Sequence, residues 1–292
     1  MLLAARVIAG LLTVAVAGYA AAAAYVKLHE IELVYHPGER HMQPVDVALG
    51  ISPRVVRFAS DDGTTLVGWI VFASGVDSMS GAWVLDCHGN AGNISSYGRP
   101  RWAAWMREQG INVFQFDYRG FGESAGAPNE TGLYRDAEAA YRYLTDSLGI
   151  AADRIVIYGH SLGSGVATHL ASRVKAAGLI LEGAFTAAAD RGQELYPWLP
   201  VRLLSTNDFD SIGRIREIAM PKLFIHATND EVIPYAHGQR LYEAAGSPKR
   251  FLTVTGGHEH AFEEDRERYY AAVKAFADTV TGRFAAPNVR AY

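Results

Sequence analysis

The sequence predicts an α/β fold, a mostly parallel sheet with helices on both faces. Three observations carry that reading. β-rich runs alternate with stretches of helical spacing along most of the chain, the pattern of crossover connections in a parallel sheet. Most of these runs are apolar without a break, as strands buried on both sides are. The first two are joined by Asp61-Asp62-Gly63, a hairpin signal, so antiparallel strands are expected at one edge.

Strands are expected at Val55–Phe58, Thr65–Phe72, Ala82–Cys87, Asn112–Phe116, Arg154–Tyr158, Gly178–Glu182, Lys222–His226 and Arg250–Val254. Helices are expected over Arg101–Gln109, Gly132–Ser147, Leu162–Val174, Ala236–Ala245 and Arg266–Val280. In the last of these, Tyr269, Val273, Phe276 and Val280 recur at helical spacing, which marks a packing face. Thr186–Met220 breaks the rhythm. It is too long for a simple crossover and contains Tyr196-Pro197-Trp198-Leu199-Pro200, so it reads as a small cap over the site. The expected organisation is an apolar segment at 1–27, then a lead-in at 28–53 broken by Pro37, Gly38, Pro44 and Pro53. A domain at 54–282 follows, with the cap at 186–220, and then a tail at 283–292.

A chain of 292 residues, 49% hydrophobic, suits one globular domain with a short appendage. Its net charge of −4 and lack of a long basic run argue against a nucleic-acid partner. Charges of mixed sign argue against disorder. The single cysteine, Cys87, falls inside an apolar run and is expected to be a buried core thiol.

Val7–Val26 carries no charge and is nearly all Ala, Val, Leu, Ile and Gly. As a helix it spans roughly 30 Å, the thickness of a bilayer core. A cleaved signal peptide is the rival reading, because Ala20–Ala24 offers small-residue cleavage sites. An uncleaved transmembrane anchor is favoured, since the run is longer than a signal core and only Arg6 marks its leading end. The positive-inside rule then leans towards a domain on the non-cytoplasmic side, or a secreted domain if the segment is removed.

Gly159-His160-Ser161-Leu162-Gly163 is the strongest local signal. It follows an expected strand and opens a small-residue helix, so Ser161 sits on a tight turn at a helix N-terminus, where developing negative charge is favoured. Its flanking glycines let the chain fold sharply. A serine hydroxyl needs a base. His258, in Gly256-Gly257-His258 just after the last expected strand, is the candidate, and His260 the nearest rival. The acid that orients the imidazole is assigned to Asp230, after Ala227-Thr228-Asn229, with Glu231 adjacent as a substitute. Asp208 and Asp210 read as capping or surface residues of the cap. His88-Gly89-Asn90-Ala91-Gly92-Asn93 follows another strand, and its glycines let backbone N–H groups turn inwards. The Asn90 and Leu162 amides are expected to form the oxyanion hole. No metal is expected, because His258-Glu259-His260 lacks further ligands at suitable spacing.

Together these residues resemble the α/β-hydrolase superfamily, and more narrowly its membrane-anchored branch of hydrolase-domain proteins, often described as esterase- or peptidase-like. The resemblance is carried by Val34-Tyr35-His36-Pro37, Asp62-Gly63, His88 to Asn93, Asp117-Tyr118-Arg119-Gly120-Phe121-Gly122, Gly159 to Gly163, Asp230-Glu231-Val232-Ile233-Pro234 and Gly257-His258. It implies an eight-stranded sheet, a triad at Ser161, Asp230 and His258, and an N-terminal anchor. Asp117 to Gly120 is then a structural corner beside the nucleophile. Two departures stand out. Ala227 follows His226 where the family commonly has Gly, and Glu259 stands where relatives often have Asn.

The expected function is a membrane-tethered serine hydrolase acting on carboxylic esters or thioesters of a small-molecule or acyl-group substrate, with no cofactor. A peptidase or amidase would use the same triad. A non-catalytic anchored binding module is the alternative from another class. A serine nucleophile argues against a haloalkane dehalogenase, whose chemistry needs a carboxylate.

Overall fold

The structure is a computed structural model that describes residues 2–282 apart from 44, 46, 78, 80 and 97. The tail expected at 283–292 and the Pro44 breaker lie outside the described residues.

Eight strands form one sheet: β1 (Arg54–Ala59), β2 (Thr65–Val71), β3 (Ala82–Cys87), β4 (Ile111–Asp117), β5 (Ile155–His160), β6 (Gly178–Glu182), β7 (Lys222–Ala227) and β8 (Lys249–Val254). Their spatial order is β1-β2-β4-β3-β5-β6-β7-β8. The β1–β2 and β2–β4 pairs are antiparallel, and every other pair is parallel. The mostly parallel eight-stranded sheet and its hairpin edge are thus as expected. Strand order reverses at β3, and in open α/β sheets such a reversal opens a crevice beyond the strands' carboxyl ends.

The pleat sends alternate side chains into two cores. Leu85, Phe114, Ile157, Leu181 and Phe224 meet α4 (Glu130–Arg142), α5 (Leu162–Arg173) and α9 (Tyr235–Ala244). Val84, Val113, Val156, Ile180 and Ile225 meet α3 (Arg99–Glu108) and α11 (Arg266–Val280), which follows the single-turn α10 (Ala261–Glu264). The expected packing face of α11 holds for Tyr269, Val273 and Phe276, all buried there. Cys87 is fully buried, and burial pushes its thiol pKa up, so it is an inert core thiol.

The excursion between β6 and β7 folds as three short helices, α6 (Ala188–Leu195), α7 (Val201–Leu204) and α8 (Ser211–Arg214). Asp210 caps α8 by accepting a hydrogen bond from the Gly213 amide at 2.8 Å. At the N-terminus, α1 (Leu2–Leu28) is a single apolar helix with none of its span buried, long enough to cross a membrane. The same length and composition suit a signal sequence.

Residues 28–53 are more than a lead-in. They contain α2 (Glu30–Val34), whose Glu30 is buried against the cap. Tyr35 donates its hydroxyl hydrogen bond to Asn207 Oδ1 at 2.5 Å. Through these contacts Glu30 and Tyr35 tie the segment to the cap.

The Asp117–Gly122 corner is held by Arg119. Its Nη2 donates to Asp136 Oδ1 at 2.7 Å and its Nη1 to Asp62 Oδ2 at 2.8 Å. One guanidinium thus ties the β1–β2 turn and α4 to the end of β4. Breaking a largely buried pair leaves an uncompensated carboxylate. Arg119→Ala is therefore expected to cost about 3–5 kcal/mol of unfolding free energy, read as a lower urea midpoint.

Candidate active site

The local chemistry begins at Ser161, between β5 and α5. Its backbone sits at φ +52°, ψ −123°, a left-handed conformation uncommon for a residue with a Cβ. The neighbouring glycines do not supply that left-handed turn. They allow close approach. A Cβ on Gly163 would lie 1.8 Å from the Cys87 carbonyl oxygen, and one on Gly159 would lie 2.4 Å from the Gly163 carbonyl oxygen. Only bare backbone fits where β5, α5 and the end of β3 converge. The Ser161 amide donates to the Glu182 carbonyl at 3.0 Å, and its own carbonyl accepts from Ser164 N at 2.9 Å.

The three side chains selected from the sequence meet at this turn. His258 Nε2 is 2.7 Å from Ser161 Oγ, and His258 Nδ1 is 2.7 Å from Asp230 Oδ2. Both Ser161 and His258 are buried. Asp230 Oδ1 accepts from the backbone amides of Val232 (2.9 Å) and Ile233 (2.7 Å). Burial would push this carboxyl up, but hydrogen bonds from His226 and His258, the charge of His258 and the Ile233 amide outweigh it. They hold Asp230 well below the usual carboxylate range.

Neighbouring candidates have different tasks. Glu231 Oε2 accepts from the His258 amide at 3.1 Å and so fixes the His258 backbone instead of its ring. His260 is exposed and faces Glu263. Ala227, one of the two departures, is a buried β7 residue paired with Val254, so its methyl is accommodated and Asp230 still reaches His258. Glu259, the other, is exposed beside His160 and His258. His160, His258 and Glu259 bring ligand-type atoms within 4.8 Å of one another. Both ring nitrogens of His258 already face Ser161 and Asp230, so a metal there would displace the hydrogen-bonded relay.

The Gly-rich 88–93 loop is pinned from two sides. Asp117 Oδ1 accepts from the Ile94 amide at 2.9 Å. The lead-in supplies the rest. His36 N donates to the Asn90 carbonyl at 2.9 Å, Gly92 N donates to the His36 carbonyl at 2.8 Å, and Asn90 Nδ2 donates to the Val34 carbonyl at 3.0 Å. Asn90 and Leu162 line the same cavity as Ser161. That cavity is about 280 Å³ and mainly apolar, with Leu33 and Val34 from the lead-in, Leu195 and Leu204 from the cap, and Ile233 from the acid loop.

Glu30 also borders this cavity, and its role was missed in the sequence. Its carboxylate accepts from Ser205 Oγ (2.6 Å), Thr206 N (2.6 Å), Thr206 Oγ1 (2.6 Å), Asn207 N (3.0 Å) and Asn207 Nδ2 (2.9 Å). Burial opposes its ionisation, but these hydrogen bonds win and lower its pKa to about 2. The available signal was an acid placed just after an apolar helix, in His29-Glu30-Ile31-Glu32.

Comparison with known proteins places this geometry among relatives. Residues 79–207 match the family described as serine aminopeptidase, S33. The chain is 38% identical over 229 residues to the uncharacterized protein Rv2307c of Mycobacterium tuberculosis, covering 77% of this chain and 79% of that one. It is 31% identical over 242 residues to YfhR of Escherichia coli K12, covering 80% and 82%. Among solved structures, the Pyrococcus furiosus esterase Pf2001 superposes with a TM-score of 0.69 at 20% identity, over 85% of this chain and 100% of that one. A puromycin-hydrolyzing peptidase of M. tuberculosis gives 0.66 at 20% identity, over 81% and 40%.

The Glu30 clamp makes a pH-dependent prediction. A depressed carboxylate stabilises the fold fully above its ordinary pKa of 4.5 and loses that contribution as pH falls towards 2. Glu30→Gln is expected to cost about 1.5–3 kcal/mol at neutral pH. The Tm difference from wild type, measured in detergent, should shrink steadily below pH 4.5.

Proposed function

The chain belongs to the α/β-hydrolase superfamily, and on that premise we propose that it is a serine hydrolase cleaving carboxylic esters or thioesters through an acyl-enzyme on Ser161. The observation that carries the reading is the continuous Ser161–His258–Asp230 hydrogen-bonded relay at the mouth of an apolar cavity.

In this reading Ser161 Oγ attacks the acyl carbonyl while His258 Nε2 takes its proton. Asp230, held ionised, keeps the Nδ1 proton in place and stabilises the imidazolium as it forms. The tetrahedral oxyanion rests on the backbone amides of Asn90 and Leu162. His258 then returns the proton to the departing alcohol or thiol. Water, activated by the same imidazole, hydrolyses the acyl-enzyme and regenerates Ser161.

The match to an aminopeptidase family supports a second reading, peptide hydrolysis. Removing an N-terminal residue favours a free carboxylate to hold the substrate amine. Among the described residues the only acid lining the cavity is Glu30, and both its oxygens are already engaged by the cap. That occupancy favours esters and thioesters.

We also read α1 as an uncleaved anchor, with the domain on the non-cytoplasmic side as Arg6 suggests. Its support is contact with the domain. Tyr19 meets Trp198 edge-on at 6.4 Å, and cleavage within Ala20–Ala24 would remove that ring.

Turnover of p-nitrophenyl acetate tests the function. Ser161→Ala and His258→Ala should each abolish it. Asp230→Asn should lower kcat by about 10³–10⁴-fold with little change in KM, because the relay's tautomer is lost. Undiminished turnover in Ser161→Ala, or none in folded wild type across esters, thioesters and amides, contradicts the reading.

A further inference from the structure

We propose that His160, His258 and Glu259 form an inhibitory site for a borderline divalent cation such as Zn²⁺, which silences the hydrolase by taking the base away from Ser161. The loss of turnover rests on the serine-hydrolase reading above. The binding itself does not.

His160, His258 and Glu259 each bring one ligand-type atom to within 4.8 Å of the others. Bonds from Zn²⁺ to imidazole nitrogen and carboxylate oxygen are about 2.0–2.2 Å, so the three groups need to close by only about 1 Å. Two imidazoles and a carboxylate suit zinc. They suit calcium and magnesium poorly, because those cations prefer oxygen. Water can fill the fourth position. The fold makes this set from distant residues, since His160 stands 98 residues before His258. In the sequence the run His258-Glu259-His260 was the metal-like feature, but His260 is exposed and turned towards Glu263, 3.6 Å away. His160 takes its place.

A metal-binding imidazole commonly gives its other nitrogen to a carboxylate or a backbone carbonyl, which fixes the tautomer. Both imidazoles already have such a partner. Asp230 Oδ2 holds His258 Nδ1 at 2.7 Å, and the His258 carbonyl holds His160 Nε2 at 3.1 Å. A carbonyl only accepts, so the proton of neutral His160 sits on Nε2 and Nδ1 keeps its lone pair. The arrangement that prepares His258 as a base prepares it equally as a ligand. Its Nε2 is presented unprotonated, with the Asp230 carboxylate behind the ring.

A second cavity gives access. It measures about 40 Å³ and is lined by His160, Glu259, Glu182 and Asp86, with Arg99 in the same wall. That volume holds a water or a small ion. Gly89 and His160 face this cavity, whereas Asn90 and Ser161 face the acyl chamber. A cation can therefore reach His160 and the exposed Glu259 without passing through the chamber that holds the substrate. His258 Nε2 is 2.7 Å from Ser161 Oγ. Once its lone pair is given to the cation, it cannot accept the serine proton, and Ser161 stays a neutral alcohol. No covalent bond changes, so a chelator restores the relay.

The test uses the full chain in detergent, freed of metal with EDTA and then dialysed. Bound zinc is measured by equilibrium dialysis, and turnover of p-nitrophenyl acetate is followed as free Zn²⁺ rises. Wild type should take up zinc and lose turnover in parallel. EDTA should restore it, and Ca²⁺ or Mg²⁺ should leave it unchanged. Losing an outer partner alone costs about 10–100-fold in metal affinity. Glu259→Gln and His160→Gln, each read against its own zinc-free rate, should therefore raise the inhibitory zinc concentration about tenfold or more. His260→Gln should not. Ser161→Ala should bind zinc at least as tightly as wild type, since no hydroxyl then competes for His258 Nε2. Three results overturn the proposal: active wild type indifferent to zinc, inhibition unchanged in both His160→Gln and Glu259→Gln, or inhibition relieved by His260→Gln instead. In each of these the serine-hydrolase reading survives. Metal-free wild type that cleaves no ester defeats that reading, and dialysis then decides the site alone. Equal zinc uptake by Ser161→Ala and by the Ser161→Ala, Glu259→Gln double variant overturns it.

Discussion

Everything at this site depends on a place where no side chain fits. At Gly159 and Gly163 the backbones of β5, α5 and the end of β3 approach within distances that a Cβ would violate. That contact leaves Ser161 as the residue that takes the left-handed turn, with its hydroxyl displayed at the head of α5. The strain at one non-glycine residue is sustained because the strands around it are buried on both faces. The same approach brings the end of β3, and so the Gly-rich loop after it, against the first turn of α5. The serine and the loop proposed to bind the oxyanion are thereby positioned by one packing constraint.

Electrostatics completes the arrangement by dividing labour between two adjacent acids. Asp230 sends one oxygen to the imidazole and the other to two backbone amides, so its charge is fixed in direction as well as in value. Glu231 holds the backbone on which that imidazole is mounted. His226 adds a third group beside Asp230, 3.4 Å from Oδ2, from within β7. A carboxylate so surrounded stays ionised without solvent.

Much of this was legible because it is local. Unbroken apolar strands, a hairpin turn and a glycine-flanked serine after a strand each leave a pattern within about ten residues. Boundaries slipped where a polar residue serves the interior. Asn112 lies inside β4, not at its start, because its buried side chain accepts from Ala73 N and donates to the Ala82 carbonyl. Helix α4 begins earlier than its apolar spacing suggests, since Asn129 caps it through the Gly132 amide. The lead-in was the larger omission. Glu30 finds its partners about 175 residues later in the cap, and Val34 and His36 find theirs on the Asn90 loop. Periodicity cannot report contacts that only the folded chain creates. The Val34–Pro37 motif was visible as part of a resemblance, while its task as a strut for the loop was not.

The most direct test of the central claim is chemical. The full chain is treated with a fluorophosphonate, digested, and the modified peptide is sequenced by mass spectrometry. A single adduct on Ser161, lost in His258→Ala at neutral pH, is the outcome this account predicts. An adduct on another residue, or unmodified Ser161 in folded protein, would contradict it.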